Sequence, residues 1–307
     1  MSVSRLLAAG AEPIRCVTID VEDYFHIESA FGVIERDQWK HWPSRVERNV
    51  DLLLQLFDRH KRRGTFFVLG YVAKEHPAMV RRIAAAGHEI ASHGTMHERL
   101  HRLDPDSFRD DLLASKSILE DLAQTPVLGY RAPTFSIVPA TAWAIDVLID
   151  AGFQYDASIF PVRHHRYGVP GAPDRPFWVH GRQNGPNILE LPPLTWRRLW
   201  RNWPVAGGGY FRLLPLWFMQ RGLAQARRQQ RPAVLYFHPW EFDPDMPRMP
   251  LSFTGRLRTY TGLRAAAGRL GRILAGPGRW VRLADVLHEL RTMANQRPAV
   301  QLDAMLP

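Results

Sequence analysis

The chain predicts an α/β fold, a single domain built as a distorted parallel barrel of βα units. Three observations carry that expectation. Strand-like and helix-like segments alternate through the first two-thirds of the 307 residues, which argues for a parallel sheet. Four separated apolar runs end in charged or titratable groups: Cys16-Val-Thr-Ile-Asp20, His88-Glu-Ile-Ala-Ser-His93, Gly129-Tyr-Arg131 and Val234-Leu-Tyr-Phe-His238. In a parallel barrel the carboxyl ends of all strands meet on one face, and catalysis sits there. The length is also adequate for one domain of barrel size with a sizeable core.

Taken in order, residues 15–20 form the first strand. Residues 44–62 place Val46, Val50, Leu53, Leu54 and Phe57 at helical spacing, with Ser44 as the expected cap. Gly64-Thr-Phe-Phe-Val-Leu is the second strand, followed by a helix to about Ala86. The third strand leads into His93, and a helix over 106–123 is opened by Asp104-Pro105-Asp106. The fourth strand ends at Arg131, Pro139 starts another helix, and Phe153-Gln-Tyr-Asp156 is a short fifth strand. Regularity is lost over about 161–210, which is rich in Pro, Gly, Arg and Trp and holds one clear strand, Asn187–Pro192. That stretch reads as an elaborated loop region over the pocket. A turn at Gly207-Gly-Gly-Tyr-Phe precedes a helix over Leu213–Arg228, then a strand over Val234–Phe237. Residues 248–264 read as a loop, and a last helix over 283–293 closes the barrel. The expected organisation is an N-terminal leader over 1–14, the barrel over 15–295 and a tail over 296–307.

Composition narrows the function classes. Hydrophobic content of 46% and charged content of 23% are ordinary for a soluble globular protein. No apolar run approaches the roughly 18 residues of a membrane-spanning helix. A single cysteine, Cys16, excludes an internal disulfide. It lies in the first strand as a small core residue, and together with the short leader it favours the cytoplasm. The formal charge is +10, and lysine occurs only at 40, 61, 74 and 116, so the positive side is almost all arginine. Arginine's planar fork suits carboxylates and phosphates. An anionic glycan or an anionic lipid surface could use it, while no nucleic-acid motif is present. Phe211–Arg228 has the pattern of a barrel-packing helix. A basic helix of that kind also leaves open a peripheral membrane contact.

The segment His93-Gly-Thr-Met-His97 carries the most chemistry. Two imidazoles four residues apart can converge on one metal ion, and a nearby carboxylate from Asp20-Val-Glu22-Asp23 completes a three-ligand site. Alternation puts Glu22 on the same face as Asp20 if the strand continues. A turn there favours Asp23, whose shorter side chain holds a ligand more rigidly. Both stay candidates, with Asp23 slightly ahead. His88 belongs at the start of its strand and His101 on the surface.

The order Thr18-Ile-Asp20-Val-Glu22-Asp23, His93-x-x-x-His97, Arg131-x-Pro133 and Leu235-x-x-His238 resembles the polysaccharide deacetylases of the NodB-homology type, carbohydrate esterase family 4. The resemblance runs from about residue 15 to about residue 290. It is nearest to a branch with an Asp-Val-Glu-Asp-Tyr-Phe start and a His-Pro-Trp-Glu end, often encoded with exopolysaccharide and exosortase systems. It implies a (β/α)7-type barrel and metal-dependent hydrolysis of N-acetyl groups on a polysaccharide or its lipid-linked precursor, with zinc as the expected ion. It implies Asp20 as general base, Arg131 as the group that orients it, and His238 as general acid. The family's metal-binding Asp follows the base directly, and here Val21 stands there, so Glu22 or Asp23 must take over. Thr134 stands where the family has an aromatic, yet a backbone N–H near it could still donate to an oxyanion. Glu241 or Asp156 would orient the ring of His238. Tyr24, Phe25, Trp240 and Tyr210 are candidate sugar platforms. Two other readings compete: a metal-independent cyclic-amide hydrolase of the allantoinase kind, which also lacks the second Asp, and a non-catalytic glycan-binding module. His93, His97 and the Glu22-Asp23 acids argue against the first. The joint presence of Asp20, Arg131 and His238 argues against the second.

Overall fold

The computed structural model describes residues 12–164, 166–181 and 186–305, so most of the expected leader lies outside it. Among the described residues the strands are β1 (Ile14–Val21), β2 (Thr65–Val68), β3 (Glu89–Ser92), β4 (Gly129–Tyr130), β5 (Tyr155–Asp156), β6 (Phe177–His180), β7 (Ile188–Glu190), β8 (Thr195–Arg198), β9 (Arg201–Pro204), β10 (Ala233–Phe237), β11 (Arg279–Trp280) and β12 (Val300–Gln301). The α-helices are α1 (Val46–Arg59), α2 (Gly70–Glu75), α3 (Pro77–Ala85), α4 (Pro105–Ala123), α5 (Trp143–Asp150), α6 (Gly208–Leu213), α7 (Leu216–Arg228), α8 (Phe253–Tyr260), α9 (Leu263–Leu274) and α10 (Leu287–Ala294).

Seven strands in the order β10-β1-β2-β3-β4-β5-β7 run parallel and form the barrel-like wall. Beyond β7 the sheet continues through antiparallel β6 to β12, and β8–β9 make a separate hairpin. Two contacts span the gap between β7 and β10. The Leu194 N–H donates to the Val234 carbonyl at 2.9 Å, and Gly207 bridges Tyr236. A Cβ at Gly207 would lie 1.6 Å from the Tyr236 carbonyl oxygen, so only glycine lets the two backbones approach.

Side-chain alternation sorts each strand into two layers. Val17, Ile19 and Val21 of β1, Phe66 and Val68 of β2, and Ile90 of β3 pack outward against the helices, as does Tyr130 of β4. Cys16, Phe67, Ala91, Tyr155 and Leu189 face inward and meet Leu283, Leu287 and Leu290, so α10 and the turn before it plug one end of the barrel. Inward residues nearer the carboxyl ends are left to line the other end.

Several expectations need correction. The 161–210 region is not one strand in a loop, because it contains β6, β7 and the β8–β9 hairpin, whose β8 rests on α7. Their short runs of Trp and Arg lack the apolar alternation that marks a strand. Residues 248–264 hold α8 and the start of α9, where Gly255, Gly268 and Gly271 weaken the helical signal. α9 is nonetheless fixed by its buried face of Leu263, Ala266, Leu270 and Ile273. Proline breaks two expected helices, at Pro77 between α2 and α3 and at Pro215 between α6 and α7. No helix among the described residues is long and apolar enough to cross a membrane.

Candidate active site

Four strand ends deliver the chemistry to one pocket. Asp20 is the penultimate residue of β1, and Glu22 follows that strand on the same face. His93 follows β3, Arg131 follows β4 and His238 follows β10. Asp20, Glu22, His93, His97 and His238 all line this pocket.

Arg131 is fully buried, and its Nη1 donates to Asp20 Oδ1 at 2.6 Å and to Thr18 Oγ1 at 2.5 Å. Its Nε donates to the Ala157 carbonyl at 3.0 Å, and its guanidinium lies 4.2 Å from the centre of the Phe67 ring. These contacts fix the Asp20 carboxylate in a single orientation, with Oδ2 toward the pocket.

Glu22, His93 and His97 form the cluster suited to a metal ion, with one potential ligand atom from each lying within 4.8 Å of the others. His97 Nε2 is 2.8 Å from Glu22 Oε2, and Trp240 Nε1 donates to Glu22 Oε1 at 3.1 Å. Burial alone would raise the Glu22 pKa, but the imidazoles of His97, His238 and His93 outweigh it and hold the carboxyl well below the usual carboxylate range. The His93 Nδ1–H donates to the Arg131 carbonyl at 2.8 Å, which leaves Nε2 as a lone-pair donor. Burial draws the His93 pKa down to about 4, so the ring is neutral, as a ligand must be. The loop between the two imidazoles is pinned by Asp111, which accepts from the Thr95 N–H at 3.0 Å. Gly94 takes φ +75°, and a Cβ there would meet Asp111 at 2.9 Å. His97 itself holds φ +50°, an uncommon conformation for a non-glycine residue that aims its ring at Glu22. Two imidazoles and one carboxylate, ionised and desolvated, are a donor set that fits a divalent ion.

Asp23 does not join this cluster. Its Oδ2 accepts from Ser44 Oγ at 2.6 Å and from the N–H groups of Arg45 at 2.9 Å and Val46 at 3.2 Å, so it caps α1 from outside the helix. Ser44, the expected cap, acts only through Asp23. The chain turns after Glu22, and the turn carries Asp23 away from the pocket and toward the open N–H groups of α1.

His238 stacks on Trp240 with ring centres 5.4 Å apart. Its Nδ1 is 3.2 Å from Glu241 Oε2, and Glu241 Oε1 accepts from Arg212 Nε at 2.8 Å. Burial would depress the His238 pKa, yet the Glu241 hydrogen bond and the charges of Glu22, Glu241 and Asp20 lift it to about 9. The ring is therefore an imidazolium at neutral pH. Its Nε2 lies 3.8 Å from both Asp20 Oδ2 and Glu22 Oε1, so His238 stands beside Asp20. Asp156, the other expected partner, faces the outer side of the sheet, where it hydrogen-bonds Glu190. Arg212 escaped sequence reasoning because nothing in its helical context marks a buried guanidinium. It also donates to the Arg258, Thr259 and Thr261 carbonyls.

The remaining candidates divide. Thr134, Trp240 and Tyr210 line the pocket. Thr134 sits at φ +56°, and the N–H groups of Phe135 and Ser136 are taken by carbonyls whereas none of those bonds uses the Thr134 N–H. Tyr24 and Phe25 are core residues, buried against Trp39 and Trp42, with the Tyr24 hydroxyl donating to the Pro43 carbonyl. His88 accepts from the Gly64 N–H at the far end of its strand, and His101 is exposed.

Residues 38–155 match the family model described as polysaccharide deacetylase, and residues 157–288 match a domain of unknown function, DUF3473. Residues 38–155 are thus similar to the polysaccharide deacetylases. It is 30% identical over 113 residues to a peptidoglycan deacetylase of Helicobacter pylori, covering 37% of this chain and 38% of that protein. It is 35% identical over 97 residues to a chitooligosaccharide deacetylase of Bradyrhizobium, covering 31% and 42%. The matched segment thus spans about two-fifths of the length of these curated relatives. A solved chain of Mycobacterium smegmatis classed with the polysaccharide deacetylases superposes with TM-score 0.66 at 23% identity, covering 98% of this chain and 96% of the other. The Puue allantoinase superposes with TM-score 0.61 at 18% identity, covering 94% and 93%. These superpositions establish the fold, and that fold serves both groups.

Proposed function

We propose that the protein is a divalent-metal-dependent deacetylase that hydrolyses N-acetyl groups on a glycan. The observation that carries this reading is the convergence of a held carboxylate, a two-imidazole and carboxylate cluster and an imidazolium in one pocket at the strand ends. Glu22, His93 and His97 would hold the ion, with zinc favoured by the N/O donor set. When bound, the metal would supply Lewis-acid polarisation of the acetyl carbonyl and acidify water.

The protein's own groups do the rest. Asp20, fixed by Arg131, accepts the proton of the attacking water at Oδ2. His238, kept charged by the Glu241, Glu22 and Asp20 carboxylates, donates its Nε2 proton to the leaving amine. The Thr134 N–H supplies a donor for the developing oxyanion. Trp240 and Tyr210 offer aromatic faces to the sugar. The substrate is proposed as an exopolysaccharide or its lipid-linked precursor, in line with the Asp-Val-Glu-Asp and His-Pro-Trp-Glu motifs. The single buried cysteine is compatible with a reducing compartment such as the cytoplasm. Intact Glu22, His93 and His97 favour this reading over a metal-independent cyclic-amide hydrolase.

Acetate release from N-acetylated chitooligosaccharides, with and without chelator, tests it. Release that stops on chelation and returns with added zinc is expected. Release that chelation leaves unchanged would refute metal dependence, and hydrolysis of cyclic amides alone would refute the deacetylase.

A further inference from the structure

A second recognition surface lies beside the catalytic pocket. A groove there is lined by five arginines: Arg163, Arg175, Arg197, Arg201 and Arg297. Asp174 is the acid among its described lining residues, and it is already shared between Arg175 at 3.6 Å and Arg231 at 3.8 Å. Arg163, Arg197, Arg201 and Arg297 are exposed, and no carboxylate among the described residues pairs with them. Four unpaired guanidinium groups around one concavity repel one another and create a field that an anion would relieve.

The groove is held in shape. Trp196 and Trp203 of the β8–β9 hairpin meet the Phe218 ring edge-on at 5.0 and 6.1 Å. Gln225 of α7 bonds the backbone of Arg197 at both its N–H and its carbonyl, each at 2.8 Å. Arg197 and Arg201 therefore project from an anchored hairpin, which lowers the ordering cost of binding. Trp200 and Trp203 also line the groove while 79% and 44% exposed, so their faces are free to meet a ligand. Tyr210 lines both this groove and the catalytic pocket, so the two are neighbours.

We infer that this groove binds an acidic glycan, one carrying carboxylate or phosphate groups, and leads its chain to the catalytic pocket. Arginine forks match the planar anions, and tryptophan faces suit sugar rings. A concave groove next to the pocket suits a chain better than the flat surface of a bilayer. Most of the groove belongs to residues 157–288, so the inference gives a role to the domain of unknown function. It rests on the deacetylase reading only in naming the pocket where the bound chain reacts.

The test measures binding by calorimetry in an Asp20→Asn background, which removes turnover. The probes are a hyaluronan octasaccharide, which alternates N-acetylglucosamine with glucuronate, and neutral N-acetylchitohexaose. The acidic probe should bind about tenfold more tightly, as two solvent-exposed ion pairs would give, and the preference should shrink as salt is raised. Arg197→Ala with Arg201→Ala should remove the preference, and Arg163→Ala with Arg297→Ala should weaken it independently. These side chains are exposed, and circular dichroism confirms folding of each variant. Equal affinity for both probes, or a preference that survives both variants, would overturn the inference. So would phosphatidylglycerol vesicles that bind through the same arginines when the acidic saccharide shows no preference. Acetate release from the neutral oligosaccharide by the wild type, without acidic preference, would sink the groove and keep the deacetylase. Acidic preference without acetate release would do the reverse.

Discussion

Glu22 Oε2 stands 2.8 Å from His97 Nε2, at the position that Val21 cannot serve. The family pattern places a ligand directly after the base, but that residue points outward here, and Val21 packs among the helices. One residue further along, alternation returns the chain to the inner face. A longer carboxylate then makes up the distance, and Trp240 steadies its second oxygen. The opening motif thus brings a second carboxylate, Glu22, to the inner face beside Asp20.

Asp23 is expected to matter for stability and not for metal. Asp23→Ala should keep bound metal and destabilise the protein by about 0.5–2 kcal/mol, the range for loss of a helix cap. Urea unfolding together with elemental analysis checks both halves. Loss of metal at unchanged stability would reverse the assignment of the two acids.

Asp20→Asn should retain fold and metal while turnover falls by roughly 10²–10⁴-fold, because asparagine is nearly isosteric but accepts no proton. Steady-state acetate release reads this directly. Activity within a few-fold of wild type would remove Asp20 from the mechanism.

His238 and Glu241 should separate by leaving group. His238→Ala should cost roughly 10²–10⁴-fold on an amide and much less on an activated ester, whose leaving group needs little protonation. Glu241→Gln removes the charge that helps lift the His238 pKa to about 9, so the alkaline limb of the amide pH–rate profile should move to lower pH. An equal loss on both substrates, or an unmoved alkaline limb, would argue against general-acid work.

The buried Asp156–Glu190 pair predicts a pH dependence of stability. Burial raises Asp156 from 3.8 to about 6 and lifts Glu190 well above its usual value, so the folded pair holds a proton that the unfolded chain gives up. This contribution is complete below about pH 4 and is lost as pH rises through 6 and beyond. The Ser158 hydroxyl, which donates to Asp156 at 2.5 Å, and the nearby Arg131 charge moderate the loss. Glu190→Gln should therefore flatten the fall in the urea midpoint between pH 5 and 8. A slope as steep as that of the wild type would contradict the shared proton.

Much of this was legible in the sequence because strands advertise themselves twice, by apolar alternation and by the polar residue that ends them. Asp20, His93, Arg131 and His238 each close such a run; three of them line the pocket and Arg131 is buried behind Asp20. The choice between Glu22 and Asp23 was not legible, because it depends on where the chain turns and on α1 arriving with open N–H groups. Tyr24 and Phe25 looked like platforms by residue type, yet the same turn folds them into the Trp39 and Trp42 cluster. Arg212 and the β8–β9 hairpin had no local signature. Their places are set by contacts distant in sequence, such as Arg212 with Glu241 and Trp196 with Phe218.

The central claim is that Glu22, His93 and His97 hold a catalytic metal. Elemental analysis of purified wild type, Glu22→Ala and the His93→Ala, His97→Ala double variant, with acetate release measured on the same preparations, tests it most directly. The account predicts a single divalent ion per wild-type chain, with metal and activity lost together in both variants. Equal metal content in all three proteins, or full acetate release from a metal-free variant, would contradict it.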